Sequence, residues 1–214
     1  MSAGPLIAVL DYGMGNLRSV EKAIEHVGAR AKVTSDHEAA RRAAGIVLPG
    51  VGAFPRAMDR MRTLGLDELI AERVANRTPT LGICLGLQLL FESSEELGGS
   101  DGLGLVRGTV AKLDAPGLKL PQIGWNEVTW RRRGQLDDGL PERCAFYHVH
   151  TYAPAPASEQ DVLATATYGS DFVTAIDHAP VYGVQFHPEK SGPDGLRLLA
   201  NFIRVCDAGL ARAA

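Results

Sequence analysis

A cysteine, a histidine and a glutamate in this sequence have the types and spacing of a nucleophilic triad. Cys84 lies in a Gly-Ile-Cys-Leu-Gly segment, between an apolar run typical of a strand and a stretch typical of a helix. Such a strand–turn–helix frame holds a nucleophile at a tight turn, where glycines two residues to either side avoid clashes. The start of the helix would stabilise a thiolate, and the amide of Leu85 could donate to a developing oxyanion. The competing interpretation is that Cys84 is a small buried core residue.

His187 and Glu189 are the base and the orienting acid that this cysteine would need. They flank Pro188 after a late apolar strand. Because proline favours extended backbone in the residue before it, the two side chains are expected to point to the same side. The glutamate could then hold one imidazole nitrogen while the other faces the thiol, as in nucleophilic triads generally. The alternative is a histidine that ends a strand and a solvated glutamate.

The segment Pro49-Gly50-Val51-Gly52 could supply main-chain donors for the same chemistry. It follows a short apolar strand, and its two glycines allow N–H groups to turn toward a ligand. A carbonyl oxygen that acquires charge needs such donors, and loss of one typically costs about 2.7–4 kcal/mol in barrier height. An ordinary strand–helix turn explains the same residues.

The elements that must position these residues alternate between strand and helix in the first half. Apolar runs predict strands at 6–10, 31–34, 45–48 and 80–83, and helical periodicity or capping predicts helices at 17–27, 37–44, 67–76 and 85–90. This order predicts a mostly parallel sheet with helices on both faces. The second half is richer in strands, at 144–149, 173–176 and 181–186, and ends in a helix. We expect a surface loop at 154–159 and one domain over residues 1–214.

Composition excludes several classes of protein. The chain has 214 residues, 45% hydrophobic and 22% charged, and a net charge of −3, so we expect neither nucleic-acid nor membrane binding. The three cysteines, Cys84, Cys144 and Cys206, form no Cys-x-x-Cys motif and favour a reducing compartment. We expect a cytoplasmic protein that needs no metal and no cofactor.

These motifs, in this order, resemble those of the class I, triad-type glutamine amidotransferases. The resemblance implies a flavodoxin-like α/β fold, with Cys84 as nucleophile, His187 as base and Glu189 as orienter. It also implies that cysteine attack on the side-chain amide of glutamine releases ammonia.

A narrower resemblance is to the glutaminase subunits of imidazole glycerol phosphate synthases. It is carried by Asp11–Leu17, Phe91–Glu96, Ile123–Asn126 and Tyr147–Tyr152. The sequence departs from the usual pattern at Ile123, where methionine is common, and at His148, where an apolar residue is common. The resemblance implies three sets of site residues: oxyanion donors at Val51, Gly52 and Leu85; glutamine contacts at Gln88, His150 and Thr151; and a partner interface at Asn16, Ile123, Trp125 and Asn126.

By the same resemblance the partner is a separate cyclase subunit of (β/α)₈-barrel fold, which forms a heterodimer with this chain and receives the ammonia. A flipped peptide at Val51 would explain weak glutaminase activity without that partner. Three alternatives remain open: a glutaminase subunit for another amination, a stand-alone cysteine peptidase or γ-glutamyl hydrolase, and a binding subunit that has lost its chemistry.

Overall fold

A computed structural model describes residues 4–213 of the chain. Its strands are β1 Leu6–Leu10, β2 Arg30–Thr34, β3 Gly45–Gly50, β4 Thr80–Cys84, β5 Phe91–Ser94, β6 Ser100–Asp101, β7 Val106–Lys112, β8 Gln122–Trp130, β9 Arg143–His150, β10 Tyr152–Pro156, β11 Val162–Tyr168, β12 Ser170–His178 and β13 Val181–Val184. Its helices are α1 Leu17–His26, α2 His37–Arg41, α3 Phe54–Thr63, α4 Leu66–Ala75, α5 Leu85–Leu89 and α6 Gly192–Ala213. Short 3₁₀ turns occupy Glu96–Gly98, Glu159–Asp161 and Pro188–Lys190.

Within the described residues the large sheet has the strand order β2-β1-β3-β4-β13-β12-β11-β8-β9. The strands from β2 to β13 pair in parallel, and those from β13 to β9 pair antiparallel. The parallel part follows the flavodoxin-like order, in which ligands bind at the carboxyl ends of the strands. The carboxyl ends of β3, β4 and β13 lie side by side, so this edge positions the candidate triad.

Helices cover both faces of the parallel strands, as the alternating pattern predicts. One core lies under α1 and α6 and includes Val9, Ile24 and Phe202, all fully buried. The other lies under α2 to α5 and includes Leu48 and Met58. Alternate residues of the parallel strands pack into one core or the other. Both faces of these strands are therefore buried, which explains their continuous apolar sequences.

Most elements of the first half are confirmed, with two differences. Asp36 caps α2 as expected, since its Oδ1 accepts from the amide of Ala39 at 2.6 Å. The helix ends at Arg41 rather than at residue 44, because the Ala44 amide donates to the Leu6 carbonyl at 2.8 Å and so joins the sheet. Helix α3, which buries Phe54, Ala57, Met58 and Met61 on one side, was missed from the sequence.

A second sheet, ordered β10-β7-β5-β6, overturns part of the loop expected at 154–159. Residues 154–156 are not a surface loop but belong to β10, which pairs antiparallel with β7. Pro154 and Pro156 lie on this edge strand, where a missing amide hydrogen is tolerated. Residues 91–94 form β5, a strand that the sequence did not predict, and the chain then turns through Glu96–Gly98.

No helix within residues 4–213 combines the length and the apolar character needed to cross a bilayer. Cys84, Cys144 and Cys206 are all buried and unpaired. Cys206 packs over Gly45, where a Cβ atom would collide with its sulfur. Of the three cysteines, Cys84 is therefore the one that lies at the carboxyl edge of the parallel strands.

Candidate active site

Cys84 stands at a sharp junction between β4 and α5. Its φ of +56° and ψ of −112° are rare for a residue with a side chain, and such strain costs on the order of 1–3 kcal/mol. Gly86 must lack a side chain, because a Cβ atom there would collide with the carbonyl oxygen of Leu48. The close approach of α5 to β3 therefore explains the second glycine of the frame.

His187 and Glu189 lie beyond the end of β13 and are in contact. The imidazole Nδ1 is 2.9 Å from Oε1 of Glu189, whose side chain is 1% exposed. His187 is extended, as expected before a proline, but Pro188–Lys190 forms a 3₁₀ turn that brings the carboxylate behind the ring. The turn is anchored to β9, since the His187 amide donates to the Tyr147 carbonyl at 2.8 Å.

The pKa of His187 reflects burial and the interactions of the ring with Cys84 and Glu189. Burial is the largest single influence and lowers this pKa, but hydrogen bonds with Cys84 and Glu189 together outweigh it and raise the value to about 9. The imidazole thus has the Glu189 carboxylate at hydrogen-bonding distance on one side, and it lines the same cavity as the Cys84 thiol on the other. This arrangement favours a protonated imidazole at neutral pH.

A cavity of about 260 Å³ opens beside the sulfur. It is lined by most of the residues that the sequence assigns to chemistry or glutamine binding: Val51, Gly52, Cys84, Leu85, Gln88, His150, Thr151 and His187. Glu189 lies behind His187 and outside the cavity lining. The structure therefore brings residues from four distant segments to one cavity.

The cavity has further lining residues to which the sequence assigned no role there: Glu96, Pro121, Val149, Tyr152 and Lys190. Glu96 adds a carboxylate, and its Oε2 accepts from the amide of Phe54 at 2.8 Å. It lies in the acidic run Glu92–Glu96, a pattern typical of a solvated helix end, so no sequence signal marks it for the cavity. Lys190 directly follows the His-Pro-Glu motif, so adjacency was the one available signal.

Gln88 lines the cavity, and its side-chain nitrogen is already bonded within the protein. Its Nε2 donates to the Tyr152 carbonyl at 2.8 Å and to Oε1 of Gln185 at 3.1 Å. An amide nitrogen has two hydrogens, so both are used inside the protein. Gln88 can therefore offer a ligand only an acceptor.

His150 and His148 are neighbouring buried rings, with centroids 5.5 Å apart. Nδ1 of His150 is 2.9 Å from the Tyr152 carbonyl, and its buried Nε2 has no hydrogen-bond partner within residues 4–213. Burial lowers the pKa of His150 to about 4 and that of His148 to about 3. Both rings are neutral at pH 7, and a neutral His150 that donates from Nδ1 leaves Nε2 as an acceptor.

The Pro49–Gly52 segment follows β3 along the rim of the cavity. Gly52 has a φ of +106°, which explains the preference for glycine. The hydroxyl of Tyr12 donates to the Pro49 carbonyl at 2.8 Å and braces the start of the segment. Val51 is 43% exposed next to the cavity, where the sequence expects an oxyanion donor.

The expected interface residues divide between two faces of the sheet. Ile123 and Trp125 are 62% and 59% exposed on the outer face of β8, beside the cavity residue Val149. Asn126 alternates to the opposite face, and its Nδ2 donates to the Thr167 carbonyl at 3.0 Å. Asn16 is half-buried just before α1. Only Ile123 and Trp125 thus form a shared apolar surface.

The sequence profile of the family "Glutamine amidotransferase class-I" matches residues 8–206. The chain belongs to this family, as the motifs predict. The solved structure of a Thermoplasma acidophilum protein, described as belonging to a GMP synthase, aligns with a TM-score of 0.77 and 20% identity, covering 100% of this chain and 99% of its own. At that identity the likeness shows the fold alone.

Curated relatives narrow the comparison. The chain is 48% identical over 196 residues to the imidazole glycerol phosphate synthase subunit HisH of Moorella thermoacetica, covering 92% of this chain and 93% of the relative. It is 47% identical over 207 residues to the protein of the same name from Aromatoleum aromaticum, covering 92% and 97%.

Proposed function

We propose that this protein is the glutaminase subunit of an imidazole glycerol phosphate synthase, acting in histidine biosynthesis. It hydrolyses glutamine to glutamate and delivers ammonia to a separate synthase subunit. The observation that carries the proposal is that Cys84 and His187 line one cavity of amino-acid size, with Glu189 hydrogen-bonded to His187. The names of relatives 47–48% identical over nearly their whole length supply the particular pathway.

In the acylation step the Cys84 thiolate attacks the side-chain carbonyl carbon of glutamine. The resulting oxyanion is held by main-chain amides of Leu85 and of the Val51–Gly52 segment. His187, protonated at the start, gives its proton to the leaving nitrogen, and ammonia departs from a γ-glutamyl thioester.

In the deacylation step His187 takes a proton from water, which attacks the thioester and releases glutamate. Glu189 keeps Nδ1 protonated, so that Nε2 is the nitrogen that exchanges protons with thiol, ammonia and water. The carboxylate thereby fixes both the orientation and the tautomer of the base.

Glutamine recognition uses the acceptors of the cavity for the α-ammonium group. Glu96 supplies negative charge, and Gln88 has only its oxygen free for a ligand. Thr151 and the unpartnered Nε2 of His150 add further polar contacts to the substrate. The acceptor-rich lining selects an amine-bearing substrate over a simple carboxamide.

We further propose that the partner is a (β/α)₈-barrel cyclase in a heterodimer with this chain, docked at Ile123 and Trp125. Exposed apolar side chains next to the cavity mouth suit a partner that must receive ammonia without loss to water. Three unpaired thiols fit a cytoplasmic location, and we propose that residues 1–214 form one domain.

Labelling by a glutamine-mimicking diazo-ketone tests the chemistry. The expected result is a single covalent adduct at Cys84, prevented by excess glutamine and absent in Cys84→Ser. Adducts at Cys144 or Cys206, or labelling that glutamine does not prevent, would contradict the proposed nucleophile.

Glutamine turnover with and without the cyclase and its nucleotide substrate tests the partner. A flipped peptide at Val51 in the free subunit predicts strong stimulation by the complex. Equal rates alone and in complex would instead favour a stand-alone γ-glutamyl hydrolase on the same fold.

A further inference from the structure

Gln185 is a fully buried polar residue that touches the nucleophile and to which neither the motif nor the mechanism above assigns a role. It follows β13 and precedes His187 by two residues. Its amide donates to the Thr174 carbonyl on β12 at 2.8 Å, so its backbone is fixed by the sheet. Its side chain reaches across to Cys84 and Gln88.

The orientation of the Gln185 side chain follows from its neighbours. Nε2 of Gln88 donates to the Tyr152 carbonyl and points its second hydrogen at Gln185, so the atom facing it must be an acceptor. Oxygen Oε1 therefore occupies that position, at 3.1 Å. A flipped amide would set two N–H groups against each other in a buried site. Nε2 of Gln185 is thereby directed at the Cys84 sulfur, 3.7 Å away.

The sulfur has a second neighbour with the opposite preference. The carbonyl oxygen of Val149 is also 3.7 Å from Sγ. A carbonyl can only accept, so it favours the neutral thiol, whose S–H can donate to it. The Gln185 amide can donate to the sulfur, and a hydrogen bond to an ionised acceptor is about twice as strong as a neutral one. The two contacts therefore favour different protonation states of Cys84.

We propose that Gln185 is a positioning residue whose side-chain amide donates a hydrogen bond to the Cys84 thiolate. This bond opposes the preference of the Val149 carbonyl for the neutral thiol, and it holds the sulfur beside His187. Gln88 takes part indirectly, because its N–H fixes the orientation of the Gln185 amide. This inference rests on the proposed function in one respect: it takes Cys84 to be the nucleophile.

The substitution Gln185→Glu isolates the donor. Glutamate has the same shape, and one carboxylate oxygen can still accept from Gln88. The other oxygen would replace the N–H that faces sulfur and would repel a thiolate. Gln185→Met is the second variant: it has similar length, no charge and no donor, and it serves if the glutamate variant does not fold.

The measurement is the pH dependence of Cys84 alkylation by iodoacetamide on the isolated chain, with the adduct located by mass spectrometry. Only the thiolate reacts. We expect the midpoint of the rate–pH curve to move upward by about one pH unit or more in Gln185→Glu, a tenfold loss of thiolate at a fixed pH below the midpoint. Gln185→Met should move it in the same direction by less. A folded Gln185→Glu protein with an unchanged midpoint would overturn the proposal.

Thr174→Val provides the matched control. Thr174 is also fully buried, and its backbone bond to Gln185 is retained, but its hydroxyl contacts His148 and not the sulfur. We expect lower stability in urea with no shift of the alkylation midpoint. An equal shift in Thr174→Val would mean that lost packing, rather than a lost donor, controls the sulfur, and would refute the proposal.

Protection of Cys84 by glutamine in the same assay separates this inference from the proposed function. If glutamine fails to slow alkylation in the unsubstituted chain, the assignment as a glutaminase is contradicted. The midpoint shift in Gln185→Glu still decides the role of Gln185, because it is measured at the sulfur without any substrate.

Discussion

Nδ1 of His187 lies 2.9 Å from Oε1 of Glu189, although Pro188 alone separates the two residues and the backbone turns between them. The 3₁₀ turn places the carboxylate behind the imidazole, on the side away from the cavity. A buried carboxylate requires a charged or donating partner, and here the ring supplies it. The pair therefore links the stability of the turn to the protonation of His187.

Glu189→Gln should lower glutamine turnover by about 10²–10⁴-fold, because the ring loses the group that fixes its tautomer. The raised pKa of His187, about 9 against an ordinary 6.5, also predicts a pH effect on folding. Its contribution to stability is fully present below about pH 6.5 and is lost as the pH rises toward about 9. Glu189→Gln should reduce this loss, as measured by urea unfolding at pH 6 and pH 9.5.

The exposed substitution Glu68→Gln on α4 is the control for that experiment. It makes the same change, glutamate to glutamine, at an exposed position outside the cavity lining, and it should leave turnover unchanged. A Glu189→Gln protein with full turnover would contradict the orienting role.

Cys84→Ala should lower glutamine hydrolysis by at least about 10³-fold, because no other group can form the thioester. Cys84→Gly should be equally inactive but more stable than Cys84→Ala by about 1 kcal/mol, since glycine accepts the φ of +56° without strain. Ammonia release and urea unfolding measure the two effects. Equal stability of the two variants would argue against strain at this junction.

Glu96→Gln should raise the KM for glutamine about tenfold or more and change kcat much less, because its carboxylate binds the α-ammonium group and not the reacting amide. The measurement uses the complex with its cyclase. The neighbouring Glu95→Gln is the matched control, since Glu95 is exposed and its Oε1 accepts from the Lys112 amide instead. A lower kcat with unchanged KM in Glu96→Gln would contradict this role.

The double substitution His148→Phe with Thr174→Val should make the fold less sensitive to acid. His148 is buried and neutral, with its pKa lowered to about 3. An unfolded histidine binds a proton below about pH 6.5, so stability falls as the pH drops from 6.5 toward 3. Substituting both His148 and Thr174 leaves no unpaired hydroxyl at this site. A phenylalanine at residue 148 can pack against the aromatic neighbours Phe172 and Phe186.

The loss of unfolding free energy between pH 7 and pH 4.5 should therefore be smaller in the double variant than in the unsubstituted chain. His26→Asn, at an exposed position on α1, serves as the control and should leave that loss unchanged. An equal loss in all three proteins would show that His148 does not govern acid sensitivity.

Trp125→Ala should weaken binding of the cyclase by about 30-fold or more, since exposed tryptophans buried on association are frequent hot spots. It should not alter alkylation of Cys84 in the isolated chain, because Trp125 lies on the outer face and contacts Tyr147 rather than the sulfur. Titration of the labelled cyclase measures the first effect. Unchanged affinity would place the interface elsewhere.

Local patterns in the sequence were sufficient to predict the family, the alternation of strands and helices in the first half, and the strand–turn–helix frame around Cys84. These depend on short-range rules: apolar runs for buried strands, Asp36 as a cap, and glycines where chains approach closely. The family assignment is confirmed by the profile match over residues 8–206. The roles of the individual site residues stay predictions until the variants above are made.

Contacts between distant segments were decided only by the tertiary structure. The acidic run around Glu96 is typical of a solvated segment, yet the turn after β5 places Glu96 in the lining of the cavity beside Cys84. Gln185 has no role assigned from the sequence, yet the direction of its side-chain amide is set by Gln88, 97 residues earlier. Residues 154–156 read as a loop because prolines lack amide hydrogens, whereas an edge strand tolerates them. The period of the sequence pattern indicates on which face of its helix or strand a side chain lies. Which atoms come into contact depends on how the helices and strands pack against one another.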